Sequence, residues 1–191
     1  MSITENERWL MSFYRNSEIT GALFFGRLAQ YISNKEIKHD LSKHFADESM
    51  HGWWWTEALQ ELGSTPMRNF GSYQDKYFDS IGIPANIMEI LAITQVFERR
   101  VINQYKRHLM LKDVNPVVEK VLRTIMIDEG WHYKWVTDAL ESLEGEYGKE
   151  FIAETIKKYE TADNEIFGKF LTEHDERITE LFGKKVGRWE L

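Results

Sequence analysis

The sequence predicts an all-α chain arranged as a four-helix bundle, and three observations predict it. Only 3 prolines interrupt 191 residues that carry 7 Trp, 8 Tyr and 11 Phe, so helix breakers are few and bulky core residues many. Apolar residues recur at three- and four-residue steps through four long stretches, and no stretch alternates as a strand would. The stretches pair through short connections, one to two and three to four, with a long crossover between the second and third. That is one of the known topologies of four-helix bundles.

The first helix is expected from Glu5 to Ser33, with Glu18, Ala22, Phe25 and Ala29 along one face. The second is expected from Lys35 to Leu62, where Leu41, His44, Glu48, His51, Trp55, Leu59 and Leu62 share a stripe. Gly63-Ser64-Thr65-Pro66 stops it. Met67 to Pro84 is too irregular for one clear helix. The third helix is expected to start at Pro84, a residue favoured in the first turn, and to reach Leu111, with Leu91, Glu98, Ile102, Tyr105 and Leu109 in phase. Asp113 to Pro116 breaks and recaps the chain. The fourth runs to Leu143 with Leu122, Ile125, Glu129, His132, Val136 and Leu140 on one side. A fifth helix is read from Glu146 to Glu173, and the Lys- and Glu-rich tail from Lys157 to Glu190 reads as a solvated amphipathic helix closing one side of the bundle. The organisation expected is a single domain over 1–191, the bundle at 5–143 and a C-terminal helical extension at 146–191.

Composition narrows the function. With 24 basic and 31 acidic residues the net charge is -7. This lacks the basic face that nucleic-acid binding needs and the polybasic route to anionic membranes. Cysteine is absent, which excludes disulfides, thiolate metal sites, iron–sulfur clusters and thiol catalysis. The polar, acidic start MSITENERW carries no secretory signal, and no apolar run reaches the roughly 20 residues of a membrane span. A cytoplasmic location is expected.

An internal repeat carries the chemistry. Asp47-Glu48-Ser49-Met50-His51-Gly52-Trp53-Trp54 matches Asp128-Glu129-Gly130-Trp131-His132-Tyr133-Lys134-Trp135, with the shared pattern D-E-x-x-H-x-x-W. The copies lie 81 positions apart, and Glu18 and Glu98 lie 80 apart. Each half therefore has a lone Glu on its first helix and Glu-x-x-His on its second. Residues three apart on a helix share a face, and here that face is otherwise apolar. Buried carboxylates and imidazoles are costly unless paired or bound to metal. Four carboxylates brought together would repel, and a pair of divalent cations relieves that repulsion. Carboxylate and imidazole without thiolate suit iron or manganese.

On these six positions the chain resembles the ferritin-like di-iron carboxylate superfamily. There, two helices each give one Glu and the other two each give Glu-x-x-His. The resemblance covers about residues 5–143. It implies Glu48 and Glu129 as bridging ligands, Glu18 and Glu98 as terminal ligands, and His51 and His132 as one imidazole per metal. It implies two iron ions, with manganese or a mixed pair fitting the same donors, and no haem. Asp47 and Asp128 would hold the ligand histidines of the opposite helix by hydrogen bonds, the alternative being a solvated helix face.

Subclasses separate on single residues. The extra glutamate of rubrerythrin-type peroxidases is replaced by Gln95. The haem-binding methionine of bacterioferritin is replaced by Ser49, and the radical tyrosine of ribonucleotide reductase by Trp55. The long C-terminal extension disfavours a storage cage. Oxygenase-type members are similar in motif and layout alone, and the acidic surface argues against a tRNA substrate. The expected function is a dinuclear non-haem iron protein that activates dioxygen, an oxidase or oxygenase of a small organic substrate, with an external electron donor. The alternatives are a ferroxidase or iron-storage protein and a metal-free structural bundle. A substrate pocket is expected from Gly21, Ala22, Phe25, Thr94, Gln95, Val101 and Ile102, although Gly21 and Ala22 equally permit close helix packing.

Trp54, Trp135 and Tyr14, with Tyr133, are weak candidates for redox relay, packing being the simpler role for the tryptophans. Trp53, Trp54 and Trp55 cannot all face the core at 100° per residue. An outward one would favour a homodimer. His39, His44, His108 and His174 have no counterparts in the repeat and are read as surface or supporting residues.

Overall fold

The computed structural model describes residues 3–68 and 73–183, and the end of the expected tail, 184–191, lies outside them. Among the described residues there are eight helices and no strand: α1 (Glu5–Tyr31), α2 (Lys35–Glu61), α3 (Tyr73–Ile81), α4 (Ile87–Leu109), α5 (Pro116–Ser142), α6 (Glu144–Tyr147), α7 (Lys149–Glu173) and α8 (Asp175–Phe182).

Local chemistry sets the ends. Thr4 and Glu7 form a reciprocal capping box at α1, satisfying donors the first turn leaves free. Asn34 caps α2 through the Glu36 and Ile37 amides, and Asn115 caps α5 with Pro116 at its first turn. Gly63, at φ 70°, closes α2. The Ser64 and Gly63 amides bond back to the Leu59 and Gln60 carbonyls at 2.8 and 2.9 Å, a closure that needs a left-handed residue. The third expected helix begins later than Pro84, because the Asn86 side chain accepts from the Glu89 amide and caps the chain there. The region expected to be irregular contains the short helix α3.

α1 packs on α2, α4 on α5, and α2 on α5. These four helices bring the two halves of the repeat face to face. The C-terminal extension closes one side of the helical core, as an amphipathic segment should. α7 lies along α4 and α3 and buries Tyr159, Ile166, Phe167 and Phe170. Its anchor is Asp163, 0% exposed, paired with Arg100 on α4, 2% exposed. Arg100 also bonds Asn164 Oδ1 at 2.9 Å and lies 4.3 Å over the Phe167 ring. Phe170 stacks at 4.7 Å on Phe13 of α1. The extension thus completes the core beside α1 and α4.

A buried charge stripped of its partner is strongly unfavourable. Asp163→Ala is expected to cost about 3–5 kcal/mol in urea unfolding. The double variant Arg100→Met, Asp163→Leu is expected to recover most of that loss, since no lone charge then remains. Equal loss in both variants would show that packing, not charge pairing, fixes α7.

Candidate metal centre

Glu18, Glu48, His51, Glu98, Glu129 and His132, drawn from four helices, converge in the interior. None is more than 5% exposed. Glu18, Glu48, His51 and Glu129 offer ligand atoms within 4.8 Å of one another, and so do His44, Glu48, Glu98 and His132. Glu48 belongs to both sets. Glu129 reaches both as well: Oε1 lies 3.3 Å from His51 Nδ1 and Oε2 lies 3.5 Å from His132 Nδ1.

The aspartates of the repeat meet the histidines of the opposite half. His51 Nε2 lies 3.2 Å from Asp128 Oδ2, and His132 Nε2 lies 3.2 Å from Asp47 Oδ2. A carboxylate accepts, so each Nε2 carries a hydrogen, and each Nδ1 is the ring atom turned toward the Glu carboxylates. Asp47 is also held by Lys43. Burial raises its carboxyl, but the contacts with His132 and Lys43 win and bring it down to about 2.

The interior is electrostatically unbalanced. Burial and the neighbouring Glu18, Glu129 and Glu98 push Glu48 well above the usual carboxylate range. Burial alone would depress His51, but the Glu129 and Glu18 carboxylates overcome it and lift it to about 10. His132 is raised well above its usual value, against burial, by Asp47, Glu129 and Glu98. Among the described residues, His51 Nδ1, His132 Nδ1 and both Glu129 oxygens are buried without a hydrogen-bond partner. Imidazole nitrogens and carboxylate oxygens turned toward one another without a hydrogen bond leave a place that a cation would fill. The residues present therefore fit divalent metal, and these buried Glu and His groups could hold one.

Gly21 shows how tightly the space is fitted. A Cβ built there would stand 2.9 Å from Glu48 Oε2 and 3.8 Å from the Phe25 ring. On the same side, Tyr105 donates its hydroxyl to Glu18 Oε1 and accepts from Trp55 Nε1 at 3.2 Å. A cavity of about 40 Å³, room for two or three waters or a dioxygen-sized guest, lies between α1 and α4. Glu18, Glu48 and Glu98 face it, with Phe24, Phe25, Phe97 and Val101 as its apolar wall.

Of the seven residues expected to line a substrate space, Gly21, Phe25 and Val101 do so. Ala22 and Ile102 sit one residue, about 100°, beyond Gly21 and Val101 and do not line it. Gln95 turns instead to Thr137 Oγ1 at 2.9 Å, and the Thr94 hydroxyl bonds back to the Ile90 carbonyl. Ser17, Thr20, Phe24 and Phe97 were not foreseen in the wall.

Of the unmatched histidines, read as surface or supporting residues, His44 is one of the buried ones. It is 0% exposed and sits inside the cluster. Burial and the neighbouring His132 hold it well below the usual imidazole value. His108 is also buried, whereas the His39 side chain is 81% exposed. His174 packs on Trp9 and Phe170. The three consecutive tryptophans divide as their spacing requires: Trp53 is 53% exposed and Trp55 is 0%, while Trp54 is half-buried with its ring 5.5 Å from His51. Tyr14 is buried with its ring 4.8 Å from Tyr105, and Tyr133 is half-buried on α5.

Comparison with family models, curated proteins and solved structures finds no match to this chain.

Gly21→Ala separates fold from site. Alanine is the better helix residue by up to about 1 kcal/mol, so the metal-free protein is expected to melt no lower than the parent. The new Cβ displaces the Glu48 carboxylate, so the rise in melting temperature on adding Mn(II) is expected to shrink. An unchanged Mn(II) response would show that Glu48 does not need its observed position.

Proposed function

We propose that this chain is a ferritin-like four-helix-bundle protein that holds a pair of iron ions and activates dioxygen for oxidation of a small organic substrate. In this reading α1, α2, α4 and α5 form the bundle. The segment carrying α3 is the long crossover, and α6, α7 and α8 are the extension. The observation that carries it is the pair of buried donor sets sharing Glu48, spanned by Glu129, and opening on the apolar cavity between α1 and α4. Glu18 and Glu98 are the terminal carboxylates in this assignment, and His51 and His132 give one imidazole each.

Bound iron would supply the electron chemistry that dioxygen reduction needs. The chain's own residues do the rest. Asp47 and Asp128 fix the orientation of the two histidines. Tyr105 restrains Glu18 through its O–H. Phe24, Phe25, Phe97 and Val101 give the approach an apolar wall, which favours a small apolar guest beside the carboxylates. Manganese or a mixed pair would use the same donors. No helix among the described residues is long and apolar enough to cross a membrane, and the net charge of -7 suits a small-molecule substrate rather than nucleic acid. The exposed Trp53 is the residue around which a homodimer would be sought.

The full-length protein, loaded anaerobically with Fe(II), is expected to take up two iron ions per chain and to consume dioxygen on exposure to air. Glu129→Ala, which removes the carboxylate spanning both sets, is expected to lose at least one ion and most of the oxygen uptake. Tight binding should also raise stability by about 2.7 kcal/mol when free metal is a hundredfold above its dissociation constant. No bound metal and no thermal shift would leave a structural helical protein. Rapid iron oxidation by a particle of many subunits, measured by light scattering, would favour the storage alternative.

A further inference from the structure

We propose that His44 is a positioning residue and not a third imidazole ligand: Trp135 holds it as the tautomer whose Nε2–H anchors Glu48 beside Glu98. This deepens the metal-centre reading and rests on it. Distance alone does not distinguish ligand from anchor, because His44 Nε2 lies 3.2 Å from Glu48 Oε1 and 3.2 Å from Glu98 Oε1. The other ring nitrogen decides. His44 Nδ1 lies 3.2 Å from Trp135 Nε1. An indole N–H donates and never accepts, so Nδ1 is the bare nitrogen and Nε2 carries the hydrogen.

His51 and His132 are arranged the other way round. Their Nε2 atoms face aspartate acceptors, which leaves Nδ1 toward the cluster as the atom a metal would take. Three buried imidazoles thus surround the carboxylates, two turning toward them a nitrogen that a metal could take and one turning an N–H that it could not. His44 has no room to reverse. It is fully buried between the Phe25 ring at 4.0 Å and the His132 ring at 3.8 Å.

The consequence is an asymmetric pair. Tyr105 anchors Glu18 in one donor set, and the 80-residue repeat puts Phe25 at the corresponding place in the other half. His44 anchors the set that contains Glu98, and the 81-residue repeat puts Ile125 opposite it. Each donor set is therefore anchored by a donor whose counterpart the other set lacks. The two ions have the same count of carboxylates and imidazoles but different neighbours.

The test is NMR of the full-length protein, labelled with ¹⁵N histidine and loaded with ¹¹³Cd(II). Two histidines, His51 and His132, are expected to show cadmium–nitrogen coupling at Nδ1. A third buried histidine, assigned as His44 by its disappearance in His44→Gln, is expected to show a protonated Nε2 and no coupling. His44→Gln is expected to keep two Cd(II) per chain with affinity lowered about 10–100-fold, as for groups that support a ligand. His132→Gln is expected to lose one Cd(II). Coupling to three histidines, or loss of an ion in His44→Gln, would overturn the proposal while leaving the metal centre intact. No coupling to any histidine would overturn both.

Discussion

Four carboxylates share an interior with almost no access to water, and that crowding is the constraint from which the rest of the structure follows. Glu18, Glu48, Glu98 and Glu129 are each at most 5% exposed, where like charges repel far more strongly than in water. Protons on Glu48 and the histidines relieve part of the strain, as the direction of their shifts shows. They leave Glu129 and two imidazole nitrogens with no hydrogen-bond partner. Two divalent cations would answer both deficits at once. A packed apolar core of the same volume would fold more easily, so this arrangement is explained by what it can bind.

The surrounding protein is organised to keep that cluster rigid on one side and approachable on the other. α2 and α5 cross-link through the two histidine–aspartate contacts. α4 is braced from behind by the Arg100–Asp163 pair and α7. The α1–α4 seam is different: it meets through Tyr105 and Glu18 at one level and opens into the apolar cavity beside it. Gly21 is what lets Glu48 come close to α1 at that level.

The six donor positions were legible because two periodicities agree on them. The three-residue step puts Glu and His on one helical face, and the 80- and 81-residue spacings repeat that face in both halves. The aspartates were legible as a pair for the same reason. His44 shares the stripe of Glu48 and His51 but breaks the repeat, where its counterpart is Ile125, so its burial and Trp135 contact were needed to fix its place. Ala22 and Ile102 were wrongly counted with Gly21 and Val101 as cavity residues, since one residue turns a side chain by about 100°. The buried charge pair under α7 was obscured by the segment's many charges. Asp163 reads as solvated until Arg100 is found against it.

Anomalous scattering at the iron and manganese edges, from crystals of protein grown with both metals, tests the central claim most directly. Two peaks between Glu48 and Glu129, one beside His51 and one beside His132, are the result expected. An interior without peaks, its carboxylates and histidines bonded only to one another and to water, would contradict it.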